Sequence, residues 1–249
     1  ARRKIPITCN GAVVCPMIRV REGTRMTLGA GLIFLILALA QGSAPPEKPA
    51  IESGYVDAGD SRLYYDVAGR GNVAVLIHDG LVHRETWENQ FPLFADSYRV
   101  IRYDRRGYGR SDVPEKPFSN VEDLHTVLTS LKVERATLIG CSAGGMLSID
   151  YTLAHPEIVS RLILIGPIVS GYGFSEHFLM RGDRGKPAPD ATIEKQIEYW
   201  AGTDPWLMAP GSLAARRRVK ELLAANPGNL TVPYNLLRGP KEKAAGRLS

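Results

Sequence analysis

The 249-residue chain is 44% apolar and 23% charged, enough to bury the core of one large α/β domain or two small ones. Its net charge of +5 does not mark a nucleic-acid binder, because residues 1–50 hold seven Lys/Arg against two Asp/Glu while residues 51–249 hold 24 of each sign. The one dense basic run of the balanced part, Arg216-Arg217-Arg218, lies opposite Ala215, Val219, Leu222 and Leu223 in a helical pattern and reads as a solvated face.

Residues 1–50 read as a targeting segment with a spacer. Residues 28–40 are thirteen uncharged, mostly apolar residues, short for a membrane span and right for the apolar region of a signal peptide. Arg19, Arg21 and Arg25 precede them if translation starts at Met17, and Ala38-Leu39-Ala40 and Gly42-Ser43-Ala44 are both small-residue cleavage sites. This pattern predicts export to the periplasm or the medium. The other reading is an uncleaved anchor, which would be the chain's one membrane contact. Cys9 and Cys15 precede the apolar run, so Cys141 stands alone after it and no intrachain disulfide can form there. Pro45, Pro46 and Pro49 make a stiff extended spacer.

Residues 62–67, 73–77, 98–103, 136–139 and 161–165 then read as strands. They alternate with helical patterns at 85–95, at 120–131 (with Ser119 as N-cap) and at 144–154, which closes before Pro156. Such alternation predicts a mostly parallel sheet covered on both faces. Residues 171–238 show helical stretches at 193–200 and 213–225 and no strand, as expected of a cap over the carboxyl edge of the sheet, where α/β folds bind ligands. Phe178, Met180, Tyr199, Trp200, Trp206 and Met208 either line a pocket there or pack the cap helices together. The expected organisation is therefore a core over 51–170, a cap over 171–238, and the start of a return to the core over 239–249.

Chemistry concentrates where the strand at 136–139 meets the next helix, at Gly140-Cys141-Ser142-Ala143-Gly144. This is a G-x-S-x-G nucleophile elbow in its required strand–turn–helix context. The sharp turn strains the serine backbone, leaves room only for small residues two positions away, and presents the Ser142 hydroxyl to a base and a substrate. It also puts the Ala143 N–H, at a helix start, where an oxyanion would form.

Two further motifs precede the elbow: Leu76-Ile77-His78-Asp79-Gly80, and Asp104-Arg105-Arg106-Gly107-Tyr108-Gly109-Arg110-Ser111 after the next strand. In this order and spacing the three motifs resemble the α/β-hydrolase fold family: its strand ending in His-Gly, its D-x-R-G-x-G-x-S loop, and its elbow. The resemblance covers residues 54 to about 170. It implies that Ser142 is the nucleophile and that Ala143 and Gly80 supply the oxyanion N–H groups. His78 would support the oxyanion loop, and Asp104, Gly107 and Gly109 would shape the loop after the fourth strand. Asp79 stands where the family has glycine, and an ionised carboxylate there would oppose the oxyanion unless paired or turned away.

In the family the triad acid follows the seventh strand and the histidine the eighth. Residues 161–165 would be the sixth strand, so the fold is expected to be incomplete after it, with neither triad partner in this chain. None of His78, His83, His125, His155 and His177 holds the triad position; His83 either touches substrate or is a plain loop histidine. Without a base Ser142 is a poor nucleophile, so the chain as given is expected to be close to inert. The expected parent is a serine hydrolase, esterase-like, acting on a small-molecule ester with no metal or organic cofactor. C–C bond hydrolase, lactonase, amidase and cofactor-free haloperoxidase chemistries would use the same elbow. A catalytically dead relative that binds a ligand through the cap cleft is the reading from a different class.

Overall fold

The computed structural model describes residues 49–176, 188, 190–203 and 212–248. The expected targeting segment (apart from residues 49 and 50), His177, Phe178, Met180, Trp206 and Met208 lie outside the described residues.

Six strands form one sheet among the described residues: β1 (Glu52–Asp57), β2 (Arg62–Ala68), β3 (Val73–Ile77), β4 (Arg99–Tyr103), β5 (Ala136–Cys141) and β6 (Val159–Ile165). Their spatial order is β1-β2-β4-β3-β5-β6. β1, β2 and β4 pair antiparallel, whereas β4, β3, β5 and β6 run parallel. Both faces of the central strands β3 and β5 are covered, which is why they read as nearly unbroken apolar runs. On one face Val75, Ile77, Ile101, Tyr103 and Leu138 pack with Leu124, Val127 and Leu128 of α2 (Asn120–Ser130) and with Leu147 and Tyr151 of α3 (Ala143–Ala154). On the other, Ala74, Leu76, Val100 and Ile139 meet Trp87, Phe91 and Ala95.

The predicted helix over 85–95 is broken. A 3-10 turn spans Arg84–Trp87 and α1 covers only Gln90–Ala95. Pro92 is the cause, because it lacks an N–H and its ring would clash with the carbonyl of residue 88, so it is accommodated only in a first turn. β1 escaped the periodicity reading because it is an edge strand in which only Val56 is buried, too few apolar inward positions to make an alternating pattern. Its hairpin to β2 is closed by Gly59 N–H donating to the Asp57 carboxylate at 2.9 Å. The helix expected over 193–200 ends earlier: α4 (Ile193–Glu198) runs into a π turn at Tyr199–Thr203. At the opposite edge of the sheet, Ile163, Leu164 and Ile165 of β6 are 46%, 37% and 47% exposed.

Ile197 of α4 and Leu222 and Leu223 of α5 (Leu213–Ala225) form a second apolar cluster with Val82, in the loop after β3. The helical layer thus packs on the carboxyl end of the sheet. Among the described residues no helix is long and apolar enough to cross a membrane.

Candidate active site

Ser142 sits between the end of β5 and the first turn of α3 with φ 50 and ψ −114, a conformation non-glycine residues avoid. The turn is held by Ser142 N–H donating to the Ile165 carbonyl (3.0 Å) and by the Ser142 carbonyl accepting from Met146 N–H (3.0 Å). Close approach explains the glycines. A Cβ on Gly140 would lie 2.4 Å from both the Gly144 carbonyl and Ser148 Oγ, and one on Gly144 would lie 2.4 Å from the His78 carbonyl and 2.5 Å from that of Ile77. Elbow and β3 loop are therefore in direct backbone contact. Burial, with the charge of Asp79 nearby, pushes the Cys141 thiol up to about 11.

Gly80 lies beside the elbow: a Cβ on it would stand 3.3 Å from Ala143 Cβ and 3.6 Å from the Tyr234 hydroxyl. Among the described residues neither Gly80 N–H nor Ala143 N–H has an acceptor, as expected for Ala143 at the start of a helix. The Asp79 carboxylate is turned into its own loop, where Oδ1 accepts from Leu81 N–H at 2.6 Å and Val82 N–H at 3.0 Å. Its pKa is raised by burial, against the pull of those two N–H groups and Arg105.

His78 is fully buried with both nitrogens engaged. Nδ1 faces the Asp79 carbonyl at 2.8 Å and so carries the proton, while Nε2 accepts from Arg105 N–H at 3.0 Å. Burial, reinforced by the charge of Arg105, holds its pKa well below the usual histidine value. A neutral imidazole in these contacts braces two loops.

Asp104 is likewise enclosed. Its carboxylate accepts from Arg84 N–H (2.9 Å), Arg84 Nη1 (2.8 Å) and Arg110 N–H (2.9 Å). Gly109 has φ +53, and a Cβ there would meet Asp104 Oδ2 at 2.3 Å; Gly107 has φ +82 with Val232 close by. His83 is 1% exposed and lies between the side-chain amides of Asn226 (3.3 Å) and Asn229 (3.1 Å), tying the β3 loop to the segment after α5. His125 stacks on His155 at 4.3 Å with its Nδ1 3.2 Å from the Tyr151 hydroxyl. None of these four histidines hydrogen-bonds Ser142, and among the described residues the Ser142 hydroxyl has no hydrogen-bond partner.

Sequence reasoning missed Arg84, Arg105, Tyr108, Asn226, Asn229 and Tyr234. The Tyr108 hydroxyl donates to the Gly80 carbonyl at 2.8 Å, and the Tyr234 hydroxyl, 3.2 Å from the same carbonyl, bonds that of Tyr108. Asn229 Oδ1 also accepts from Gly109 N–H at 3.0 Å. Arg105 and Tyr108 were visible in advance only as members of the run from Asp104 to Ser111, with no role of their own. No periodicity announces that residues 226–234 cross the two glycine-rich loops. Among the described residues no group of three or more His, Cys, Asp or Glu side chains could hold a metal ion.

A mostly parallel sheet of this order, carrying a strained serine at its carboxyl edge, defines a hydrolase-type α/β scaffold. Residues 73–214 match the alpha/beta hydrolase fold family, and the chain belongs to it. A 2-hydroxy-6-oxo-6-phenylhexa-2,4-dienoate hydrolase of Comamonas testosteroni is 32% identical over 130 residues, 49% of this chain and 44% of that protein. A 2-hydroxy-6-oxo-6-(2'-aminophenyl)hexa-2,4-dienoic acid hydrolase of Metapseudomonas resinovorans is 30% identical over 119 residues, 45% of this chain and 41% of that protein. The chain thus spans less than half the length of these relatives. Among solved structures, Est816, described as an N-acyl homoserine lactone degrading enzyme, superposes with a TM-score of 0.57 at 25% identity, over 72% of this chain and 70% of that one.

Proposed function

We propose that Ser142 is the nucleophile of a serine hydrolase that cleaves a small-molecule carboxylic ester through an acyl-enzyme. The observation that carries this reading is the backbone of Ser142, φ 50 and ψ −114, held between two glycines whose positions admit no Cβ. Strain of this kind costs of order 1–3 kcal/mol and persists where surrounding structure over-determines it, commonly at reactive residues. In this reading Oγ attacks the ester carbonyl and its proton passes to a general base. The carbonyl oxygen, now negative, accepts from Ala143 N–H and Gly80 N–H. Collapse of the tetrahedral intermediate expels the alcohol, and water then releases the acid and frees Ser142. No described residue acts as the base at Ser142. The triad acid and histidine belong, on this reading, to the part of the fold that follows β6.

Labelling tests the assignment. The whole encoded protein is treated with a fluorophosphonate and mapped by mass spectrometry. Modification at Ser142, lost in Ser142→Ala, is expected; a folded protein with no modification at Ser142 overturns it.

The dienoate hydrolases among the relatives favour a second reading, in which the same serine machinery opens a C–C bond next to a ketone. A lactone substrate is the counterpart suggested by Est816. Comparing kcat/KM on an aryl ester, a lactone and a vinylogous diketone separates the three. Tight ligand binding without turnover, unchanged in Ser142→Ala, would support the binding-protein reading. Export rests on the pattern of residues 28–40, and detection of mature protein outside the cytoplasm would test it.

A further inference from the structure

We propose that Arg105 is a positioning residue of the oxyanion peptide: its buried guanidinium holds and polarises the Asp79–Gly80 peptide and offsets the Asp79 carboxylate. The inference rests on the reading of Gly80 N–H as an oxyanion donor.

Arg105 is 3% exposed. The other buried arginines each have carboxylate partners: Arg84 with Asp66 and Asp104, Arg102 with Asp66, Arg106 with Asp60 and Asp123. Among the described residues Arg105 has none within ion-pair distance. Its Nη2 donates instead to the Asp79 carbonyl, its Nε is buried without a partner, and its guanidinium lies 4.8 Å over the Tyr108 ring. Burying a cation in this way costs several kcal/mol unless something compensates.

Peptide geometry connects Arg105 to the site. The Asp79 carbonyl receives Arg105 Nη2 on the same side as His78 Nδ1. In a trans peptide the N–H points opposite to the C=O, so the Gly80 N–H is turned away from both donors. It is left without an acceptor in the loop that packs on Ala143. A cation bonded to the carbonyl polarises the whole amide and strengthens its N–H as a donor. The next peptide is fixed as well, by Tyr108 and Tyr234 at the Gly80 carbonyl and by Leu81 N–H on Asp79 Oδ1. Gly80 has no side chain to limit its torsions, and these clamps replace that limit.

Asp79 and Arg105 then make one device. Asp79 brings a carboxylate to a place where negative charge opposes an oxyanion. Arg105 occupies the open position of the D-x-R-G motif and supplies the opposing charge. The other titratable groups facing Asp79 are neutral His78, the Tyr108 phenol and the Cys141 thiol, so among the described residues Arg105 is the cation that faces it.

The test uses the whole protein and Arg105→Met, Arg105→Lys, Asp79→Asn and the Met/Asn double variant, each checked for folding by near-UV circular dichroism. Amide shifts of Gly80, Leu81 and Val82 are followed against pH in 15N-labelled protein; Asp79→Asn identifies the Asp79 step by removing it. Arg105→Met is expected to raise the Asp79 midpoint by roughly one to three pH units, the usual effect of losing an adjacent opposite charge, and Arg105→Lys to restore most of it. Phosphonate labelling at Ser142 should slow about tenfold in Arg105→Met, short of the hundredfold or more lost with an oxyanion donor itself. Asp79→Asn should speed labelling more in the Met background than in the wild type. A folded Arg105→Met with unchanged midpoint and labelling rate overturns the proposal. Should Arg105→Met not fold, Arg105→Gln takes its place: a folded Arg105→Gln with unchanged Asp79 midpoint and labelling rate overturns the proposal. If wild type never labels at Ser142 while the midpoint shifts as expected, the nucleophile reading fails and the Arg105–Asp79 coupling stands.

Discussion

Gly144→Ala probes the contact on which the elbow depends. Alanine is the better helix former by about 1 kcal/mol, so at an unobstructed helix position the change would stabilise. Here the new methyl would lie 2.4 Å from the His78 carbonyl oxygen, 2.5 Å from that of Ile77 and 2.9 Å from the Ile77 carbonyl carbon. All three are backbone atoms at the end of a central strand, so none can swing aside. The start of α3 must retreat from β3 until the shortest contact opens from 2.4 Å to at least about 3.0 Å. Overpacking of this kind costs about 1–3 kcal/mol, which exceeds the propensity gain at all but its lower end. For a domain of this size each kcal/mol lowers the melting temperature by about 2–4 °C, so a net loss of one to two kcal/mol predicts a fall of roughly 2–8 °C. The retreat also carries Ala143 away from Gly80, so labelling of Ser142 should slow as well. Gly228→Ala is the control, because a Cβ there meets nothing within 4 Å and its φ is not in the left-handed region. Scanning calorimetry of both variants measures the effect. A Gly144→Ala protein as stable as the wild type, or more so, would refute the close approach of α3 to β3.

Three other outcomes are expected. Ser142→Gly should raise stability by about 1 kcal/mol while abolishing labelling, because glycine relieves the strain at φ 50; a lower unfolding midpoint in urea would mean no strain is stored there. Asp66 accepts from Ser53, Arg84 and Arg102, which outweigh its burial and hold its pKa below the ordinary carboxylate value. Its stabilising contribution is therefore present above the unfolded carboxylate pKa and lost as pH falls through the lowered one. The stability difference between wild type and Asp66→Asn should accordingly shrink on acidification, and a constant difference between pH 7 and pH 2 would contradict this. Arg106→Met should cost about 3–5 kcal/mol, because it strands the buried Asp123 carboxylate that Arg106 holds at 2.7 and 2.9 Å. Arg106→Met with Asp123→Leu should recover part of that loss in denaturant titrations, and strict additivity would count against the pairing.

Much of the fold was legible in one dimension. The apolar runs at 73–77 and 136–139 announce strands buried on both faces, because a parallel strand between helical layers has no polar side. Pro92 and β1 show the limits of that reading. A single missing N–H divided a helix whose apolar spacing is intact, and an edge strand that buries only Val56 has no pattern until β2 lies beside it. The elbow glycines could be read as backbone requirements from their spacing alone, whereas those of the Asp104 loop came only with the family resemblance.

The sequence by itself determined the elements, their order and the identity of the strained serine, since each depends on local chain chemistry: side-chain periodicity, turn residues and the glycines a tight turn demands. Tertiary structure alone decided the surroundings. That His78 is a neutral brace, that the Asp79 carboxylate is folded into its own loop, and that Arg105 lies buried against the Asp79 carbonyl with no carboxylate partner among the described residues are facts about burial and distant neighbours. Tyr108 and Tyr234 are 126 residues apart and meet at one carbonyl. Charge state and hydrogen-bond partners depend on what the folded chain brings within a few ångströms, and separation along the sequence carries no record of that.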